Sequence, residues 1–275
     1  MPDYMGLTRR RYDLDNVAPL SLDGHPLDWY GADPSDGWLQ IDSVDIATSF
    51  QQVPGRSGGI DMTLEDETGA AAIGRLSISL GIVISGDEQQ AVESKLRIGT
   101  IIGRDVTVKW RALPGEYHGR LSRDAWNDIH LGSVFVQSTT TLTISADPFL
   151  RYPRQTIPLL DGEDAFLFTV PGNRPTRPRF TLTPTAGVER VLIRDNGERA
   201  MTVKLPAAAD GDKPLVVDAE TRTLRFGSAL AGLTLDIDWF NLTPGRHSIT
   251  IGREPTADGR TLSSGWLSFV PMGLI

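Results

Sequence analysis

The sequence predicts a mainly β protein in two domains. Residues 1–150 are expected to form a β-sandwich or split barrel with one helix, and residues 151–275 a second β-sandwich. Three observations predict this. Glycine (28) and proline (18) are spread throughout the 275 residues, which suits many short strands joined by turns. Apolar residues recur with a period of two in most legible stretches, the spacing of half-buried strands. A capping signal followed by an apolar stripe occurs once, after Ser85, and at this length two domains are favoured over one.

Composition narrows the function classes. Apolar residues at 40% are enough for real cores. No window approaches the roughly 20 apolar residues of a membrane helix. The start has no basic stretch followed by an apolar run, so no signal peptide is read. Cys is 0, which excludes disulfides and thiolate metal sites and points to a protein folded in a reducing cytosol or indifferent to redox. A net charge of −8 and a pI near 5.0 argue against nucleic-acid binding as the main task.

Along the chain, Arg9, Arg10 and Arg11 form a basic run read as a solvated terminal segment. Leu20, Leu22 and Leu27 flank Asp23-Gly24, a hairpin signal. Trp29, Tyr30 and Trp38 surround Asp33-Pro34-Ser35-Asp36-Gly37, read as a loop whose aromatics pack over a sheet edge. Val44, Ile46, Thr48 and Phe50 alternate with polar residues, and Ile60, Met62 and Leu64 resume the alternation. Between them Pro54 and Gly55 suit the centre of a type II turn, and Gly58 and Gly59 give a second flexible point. Arg56 is left at a polar tip.

Leu76, Ile78, Leu80, Ile82 and Ile84 form the cleanest strand. Ser85 and Glu88 fit a capping box for a helix with Ala91, Val92 and Leu96 as its apolar stripe, a Glu93–Arg97 pair, and a stop at Gly99. Val106, Val108 and Trp110 alternate next, then Leu113-Pro114-Gly115 turns the chain toward Tyr117-His118-Gly119-Arg120. Val134 to Ala146 is a long Thr-rich strand closing on Asp147-Pro148. The domain boundary is read in the proline-bracketed connection from Leu150 to Pro158. Beyond it, strands are read around Phe166, Phe180, Met201, Leu215, Thr221–Phe226, Leu233–Trp239, Ile249 and Leu267, the pattern of a sandwich.

A search for enzymatic constellations finds no phosphate-binding loop, no Gly-x-Ser-x-Gly and no His-Glu-x-x-His. His25, His118, His130 and His247 lack ligand spacing. Asp61, Glu65, Asp66 and Glu67 read as a solvated acidic turn rather than a carboxylate pair for glycoside hydrolysis. No cofactor or metal and no enzymatic activity is expected.

Pro54-Gly55-Arg56-Ser57-Gly58 followed by an alternating strand resembles the early signature of phage distal tail proteins, the hub subunits of siphophage tails. In that family the loop is followed by a long strand, one helix, a strand pair and a strand ending in Asp-Pro, and this chain has them in that order. Tyr117-His118-Gly119-Arg120 and Ala146-Asp147-Pro148 resemble the family's Tyr-then-Gly-Arg strand and its exit from the first domain. Leu215 to Phe226 looks like a hairpin of the family's second, galectin-like domain. Leu242-Thr243-Pro244-Gly245-Arg246-His247-Ser248-Ile249 is similar to its Leu-x-Pro-Gly-x-Asn-x-Ile segment, with His247 in place of the usual Asn.

The resemblance implies a structural virion protein. Residues 1–150 would form a hexameric ring at the distal end of the tail, and the galectin-like sandwich, 151–275, would be a peripheral platform. The tail tube protein would stack on one face and a tail tip or baseplate protein on the other, with the tape-measure protein's C-terminus also engaged. DNA would only pass through the lumen, and assembly in the host cytoplasm would precede residence in the virion tail. Pro54, Gly55, Arg56, Gly58 and Gly59 form the candidate subunit-interface loop. The alternative is a carbohydrate-binding β-sandwich contacting host surface glycans through an exposed Trp. Against it, the galectin pattern His-x-Asn-x-Arg with Trp-Gly-x-Glu is not visible, and Trp239 is read as core by its strand alternation, with Trp266 left open between core and glycan platform.

Overall fold

The strand Leu76–Ser85 is the spine of the first half of the chain. Its alternation buries Leu76, Ile78, Leu80, Ile82 and Ile84 on one face, and its backbone pairs antiparallel with Val134–Ala146 from Leu76↔Ala146 to Ser85↔Gln137. A computed structural model describes residues 20–55, 57–65, 69–110, 113–159, 165–197, 199–230, 239, 241–254 and 262–275. The chain divides into two compact units, Met1–Leu150 and Arg151–Ile275. Arg9, Arg10, Arg11, Arg56, Asp66, Glu67, Leu233, Leu235 and Ile237, all part of the sequence reading, lie outside the described residues.

In the first unit, Asp33–Ile41 flanks one side of the spine, where a loop was expected. Tyr117–Arg123, Asp105–Lys109 and the pair Ser21–Leu22 and His25–Pro26 extend the sheet beyond Val134–Ala146. The described strands form an open sheet, ending in Asp33–Ile41 and His25–Pro26, and do not close into a barrel. The Asp23-Gly24 hairpin is present, with positive φ at both residues (52° and 77°), as a two-residue turn of the twist-compatible kind requires.

The helix Glu88–Gly99 differs in detail from the expectation. Its N-cap is Asp87, whose carboxylate accepts from the Gln90 amide at 2.8 Å while the Gln90 side chain reaches back to the Asp87 amide. Ser85 instead ends the preceding strand, so the box is shifted by two residues. The buried stripe is Ala91, Ser94 and Ile98, whereas Val92 and Leu96 face solvent. Ser94 is small because Gly31 lies against it: a Cβ on Gly31 would come within 2.2 Å of the Ser94 hydroxyl oxygen. Arg97 donates to the Trp29 carbonyl at 3.3 Å, and Glu93 accepts from Gln89, so the expected Glu93–Arg97 pair is replaced by other partners.

The second unit is a sandwich of two antiparallel sheets. One has six strands in the order Gln155–Pro158, Leu262–Phe269, Arg179–Pro184, Leu215–Asp218, Thr223–Phe226 and Ala229–Leu230. The other has four, Phe166–Val170, Gly245–Glu254, Arg190–Asp195 and Arg199–Lys204. Phe180, Leu182, Val217 and Leu267 of the first meet Val191, Ile193, Met201 and Ile249 of the second in one core. Two elements depart from the sequence reading. Gln155–Pro158, taken as linker, is an edge strand, a position that tolerates Pro158 because no further strand needs its amide. Arg190–Asp195 was not anticipated because its apolar signal is a three-residue run, Val191-Leu192-Ile193, with no alternation and charged residues on both sides.

Candidate functional site

The loop singled out in the sequence sits at the tip of an exposed arm. Phe50–Gln52 pairs with Gly59–Asp61 in register Phe50↔Asp61, Gln51↔Ile60 and Gln52↔Gly59. Gly55 and Gly58 both take φ 83°, which glycine adopts without the cost a Cβ would bring. The arm continues through Ser49, whose carbonyl accepts from the Met62 amide at 2.7 Å, to a base where Ile46 bridges Ile73. Pro54, Gly55, Gly58 and Gly59 are all exposed.

The arm's apolar side chains are exposed as well. Ile46, Phe50, Ile60, Met62 and Leu64 project into solvent, with Phe50 at 63% and Leu64 at 81% of full exposure. An isolated two-stranded ribbon has one face too few to cover its own apolar residues. Asp61 does not act as a free acid: its carboxylate accepts from the Thr63 hydroxyl and amide, the amide at 2.9 Å, which holds it below the usual carboxylate range. The acidic stretch is therefore turn chemistry at Asp61.

A second exposed apolar hairpin was not anticipated. Asn127–Leu131 turns through Gly132 (φ 65°) into Val134–Ala146, leaving Ile129, Leu131, Val134 and Val136 exposed, Leu131 at 79%. The signal was Gly132 between Leu131 and Val134, a glycine-initiated two-residue turn. The strand register places the two hairpins at opposite ends of the spine. The arm follows from the Leu76/Ala146 end, and the second hairpin extends past the Ser85/Gln137 end, about 30 Å away at strand rise.

Two of the motifs that carry the family resemblance, Tyr117–Arg120 and Ala146–Pro148, are neighbours in space. Gly119 stands opposite Ala146, and a Cβ on Gly119 would lie 2.5 Å from the Ala146 Cα. The Asp147 amide donates to the His118 carbonyl at 2.8 Å, and Arg75 donates to the Ser145 carbonyl at 2.7 Å. Close backbone approach explains the glycine, and the ladder explains why the strand exit is coupled to it. Beside the second hairpin, Asp128 accepts from Lys95 at 2.6 Å and from Ser138 at 2.5 Å, which together lower its pKa.

The histidines are dispersed. His25 stacks on Trp29 with centroids 4.4 Å apart, and His118 lies 3.2 Å from Glu116. His247 is buried in the sandwich. Its Nε2 is 2.6 Å from the Thr243 carbonyl and its Nδ1 is 2.9 and 3.0 Å from the two oxygens of buried Asp195. A carbonyl can only accept, so Nε2 donates to it, and Nδ1 shares its hydrogen bond with the Asp195 carboxyl group. His247 therefore makes a turn contact where the family has Asn, and spends both ring nitrogens on structure. Among the described residues, no group of three His, Asp or Glu side chains could hold a metal ion.

A family model described as siphovirus-type tail component, C-terminal domain, matches residues 171–263, inside the sandwich. Among solved structures, SPP1 Dit, described as a paradigm of the hub adsorption apparatus in phages infecting Gram-positive bacteria, matches at 14% identity over 92% of this chain and 98% of that one, with a TM-score of 0.63. A chain of the phage P2 baseplate in its activated conformation with Ca matches at 10% identity over 87% and 92% of the two chains, with a TM-score of 0.36. No curated protein matches the sequence. The chain thus has the fold of SPP1 Dit, and residues 171–263 of its second unit match the C-terminal domain described for the siphovirus-type tail component.

Proposed function

We propose that this chain is a structural, non-enzymatic hub of a phage tail: a closed hexameric ring, built by the first unit, that joins the tail tube to the tail tip or baseplate. The observation that carries the reading is the pair of exposed apolar hairpins at opposite ends of one sheet. A ring of identical subunits uses head-to-tail contacts, in which one patch of a subunit meets a different patch of the next. The arm bearing Phe50 and Leu64 and the hairpin bearing Leu131 and Val134 supply two such patches. The glycine-flanked loop at Pro54, Gly55, Gly58 and Gly59, whose sequence includes Arg56, would then be carried to the neighbouring subunit.

In this reading the second unit is a peripheral platform, the tube protein and a tip or baseplate protein stack on the two ring faces, and the tape-measure protein's C-terminus meets the ring. The chain's charge of −8 favours an electronegative lumen that repels DNA phosphate during passage. The resident location is the virion tail, after assembly in the host cytoplasm. Light scattering and negative-stain microscopy of the purified chain test the ring. Closed rings are expected for the wild type, with loss of rings in Phe50→Ser and separately in Leu131→Ser at unchanged melting temperature. A wild-type monomer at high concentration, including in reconstituted tail tips, would overturn the proposal.

A further inference from the structure

We propose that the outer face of the second unit's six-stranded sheet is a glycan-binding site centred on Trp266. It takes a linear oligosaccharide with one sugar ring stacked on the indole. The site does not depend on ring assembly. Trp266, which the sequence leaves open between core and surface, is 51% exposed. Leu267 and Phe269 point inward with buried Gly265, so strand alternation turns Trp266 to the opposite face.

The indole is bare. Trp29 stacks on His25, Trp110 on Tyr117, and Trp126 carries the cations of Lys95 and Arg123 on its ring. Trp239 packs on the core, and Trp38 is half-buried. Trp266 combines the largest exposure with no ring or cation partner among the described residues.

Its surroundings are polar and ordered. Trp266 stands opposite Thr181 on one neighbouring strand and Pro158 on the other. On the same face, the Ser264 hydroxyl donates to the Thr183 hydroxyl at 3.1 Å. Arg179, two residues before Thr181, lies 4.0 Å from Asp218. One oxygen of Asp218 accepts from the amides of Glu220 and Thr221 at 3.0 and 3.1 Å, which fixes the carboxylate and orients the half-exposed guanidinium above the sheet.

A protein-docking face gathers several apolar or aromatic anchors at a charge-depleted centre. Here one aromatic ring stands among hydroxyls and a charged pair, with Pro158, Val216 and the exposed Leu230 as separate apolar positions along the same row. A sugar ring has the matching form, with apolar C–H groups on one face for the indole and hydroxyls at its edge for Ser, Thr and Arg. The row from Pro158 through Trp266, Thr181 and Val216 to Arg225 crosses five strands. At ordinary strand spacing it spans about 19 Å, room for a chain of sugars rather than one.

The test uses the full chain on a printed array of bacterial and plant-type oligosaccharides, followed by calorimetry with chitohexaose and maltohexaose as soluble probes. Wild-type signal on at least one glycan class is expected, about tenfold weaker in Trp266→Ala and largely kept in Trp266→Phe, the size expected for one aromatic stack. Arg179→Ala should weaken it too, and Trp29→Ala should leave it unchanged. Because Trp266 is on the outer face, both Trp266 variants should melt with the wild type. A blank wild-type array overturns the site, as does binding indifferent to Trp266→Ala. Loss of self-association in Trp266→Ala without glycan binding would also overturn it, making the face a protein interface.

Discussion

Residues 44–64 and the spine Leu76–Ser85 carry the same alternation of apolar and polar side chains, and the fold treats them oppositely. Every apolar residue of the spine's inner face, from Leu76 to Ile84, is buried. In the arm, Ile46, Phe50, Ile60, Met62 and Leu64 are exposed. Period-two alternation says only that a ribbon has two unlike faces. Whether the apolar face is covered depends on neighbours: the spine has strands on both edges and a packed inner layer, while among the described residues the arm's outer part, Phe50–Gln52, pairs in a two-stranded ribbon with its return strand Gly59–Asp61. An apolar face left bare by its own chain is a candidate for cover by another.

Mutations that probe coverage should grade the cost. The largest loss is expected where both partners are fully enclosed and hydrogen-bonded to each other. His247→Ala strands Asp195 in the sandwich and should cost about 3–5 kcal/mol, read by chemical denaturation. A loss below 1 kcal/mol would mean that water reaches the carboxylate. Leu80→Ala, in the covered spine, should cost about 2–5 kcal/mol, with the spread set by how far the cavity collapses. Gly119→Ala should cost about 1–3 kcal/mol, because its Cβ meets backbone rather than a flexible side chain.

Phe50→Ser, with the same chemistry as a core truncation but no cover, should shift monomer stability by no more than about 0.5 kcal/mol while removing self-association. A large loss of monomer stability would place the arm against its own unit and end the comparison. The smallest effect is expected at the surface pair Asp210 and Lys213. The Lys213 ammonium, with the Asp212 and Lys213 amides, holds the Asp210 carboxyl down to about 2. A depressed carboxyl stabilises the fold above its unfolded pKa, and that contribution fades as pH falls toward 2. NMR titration of Asp210 should show the low value and its rise in Lys213→Ala, with no measurable change in melting temperature at neutral pH.

The candidate site was partly legible. The Pro54-Gly55 and Gly58-Gly59 pairs announce the hairpin because proline and glycine restrict and relax φ regardless of context. That Phe50 and Leu64 are bare was not legible, since exposure is a property of what else packs nearby. The Leu131 hairpin is illegible for the same reason: Val134 and Val136 read as part of one long strand, and among the described residues its partner Asn127–Leu131 leaves them exposed.

By itself the sequence determined whatever depends on the residue and its immediate neighbours. Alternation set the strands from Leu76 to Ser85 and from Val134 to Ala146, Asp23-Gly24 and Pro54-Gly55 set turns, and one stretch after Ser85 was helical. Tertiary structure decided which partner each group found. It chose Asp87 rather than Ser85 as the cap, and turned Ser94 rather than Val92 or Leu96 toward Gly31. It recruited Gln155–Pro158 as an edge strand, set Gly119 against Ala146, and joined His247 to Asp195 across 52 positions of chain. Local propensities differ by a kilocalorie or less per residue, so a packed neighbour or a buried charge outweighs them wherever the two conflict.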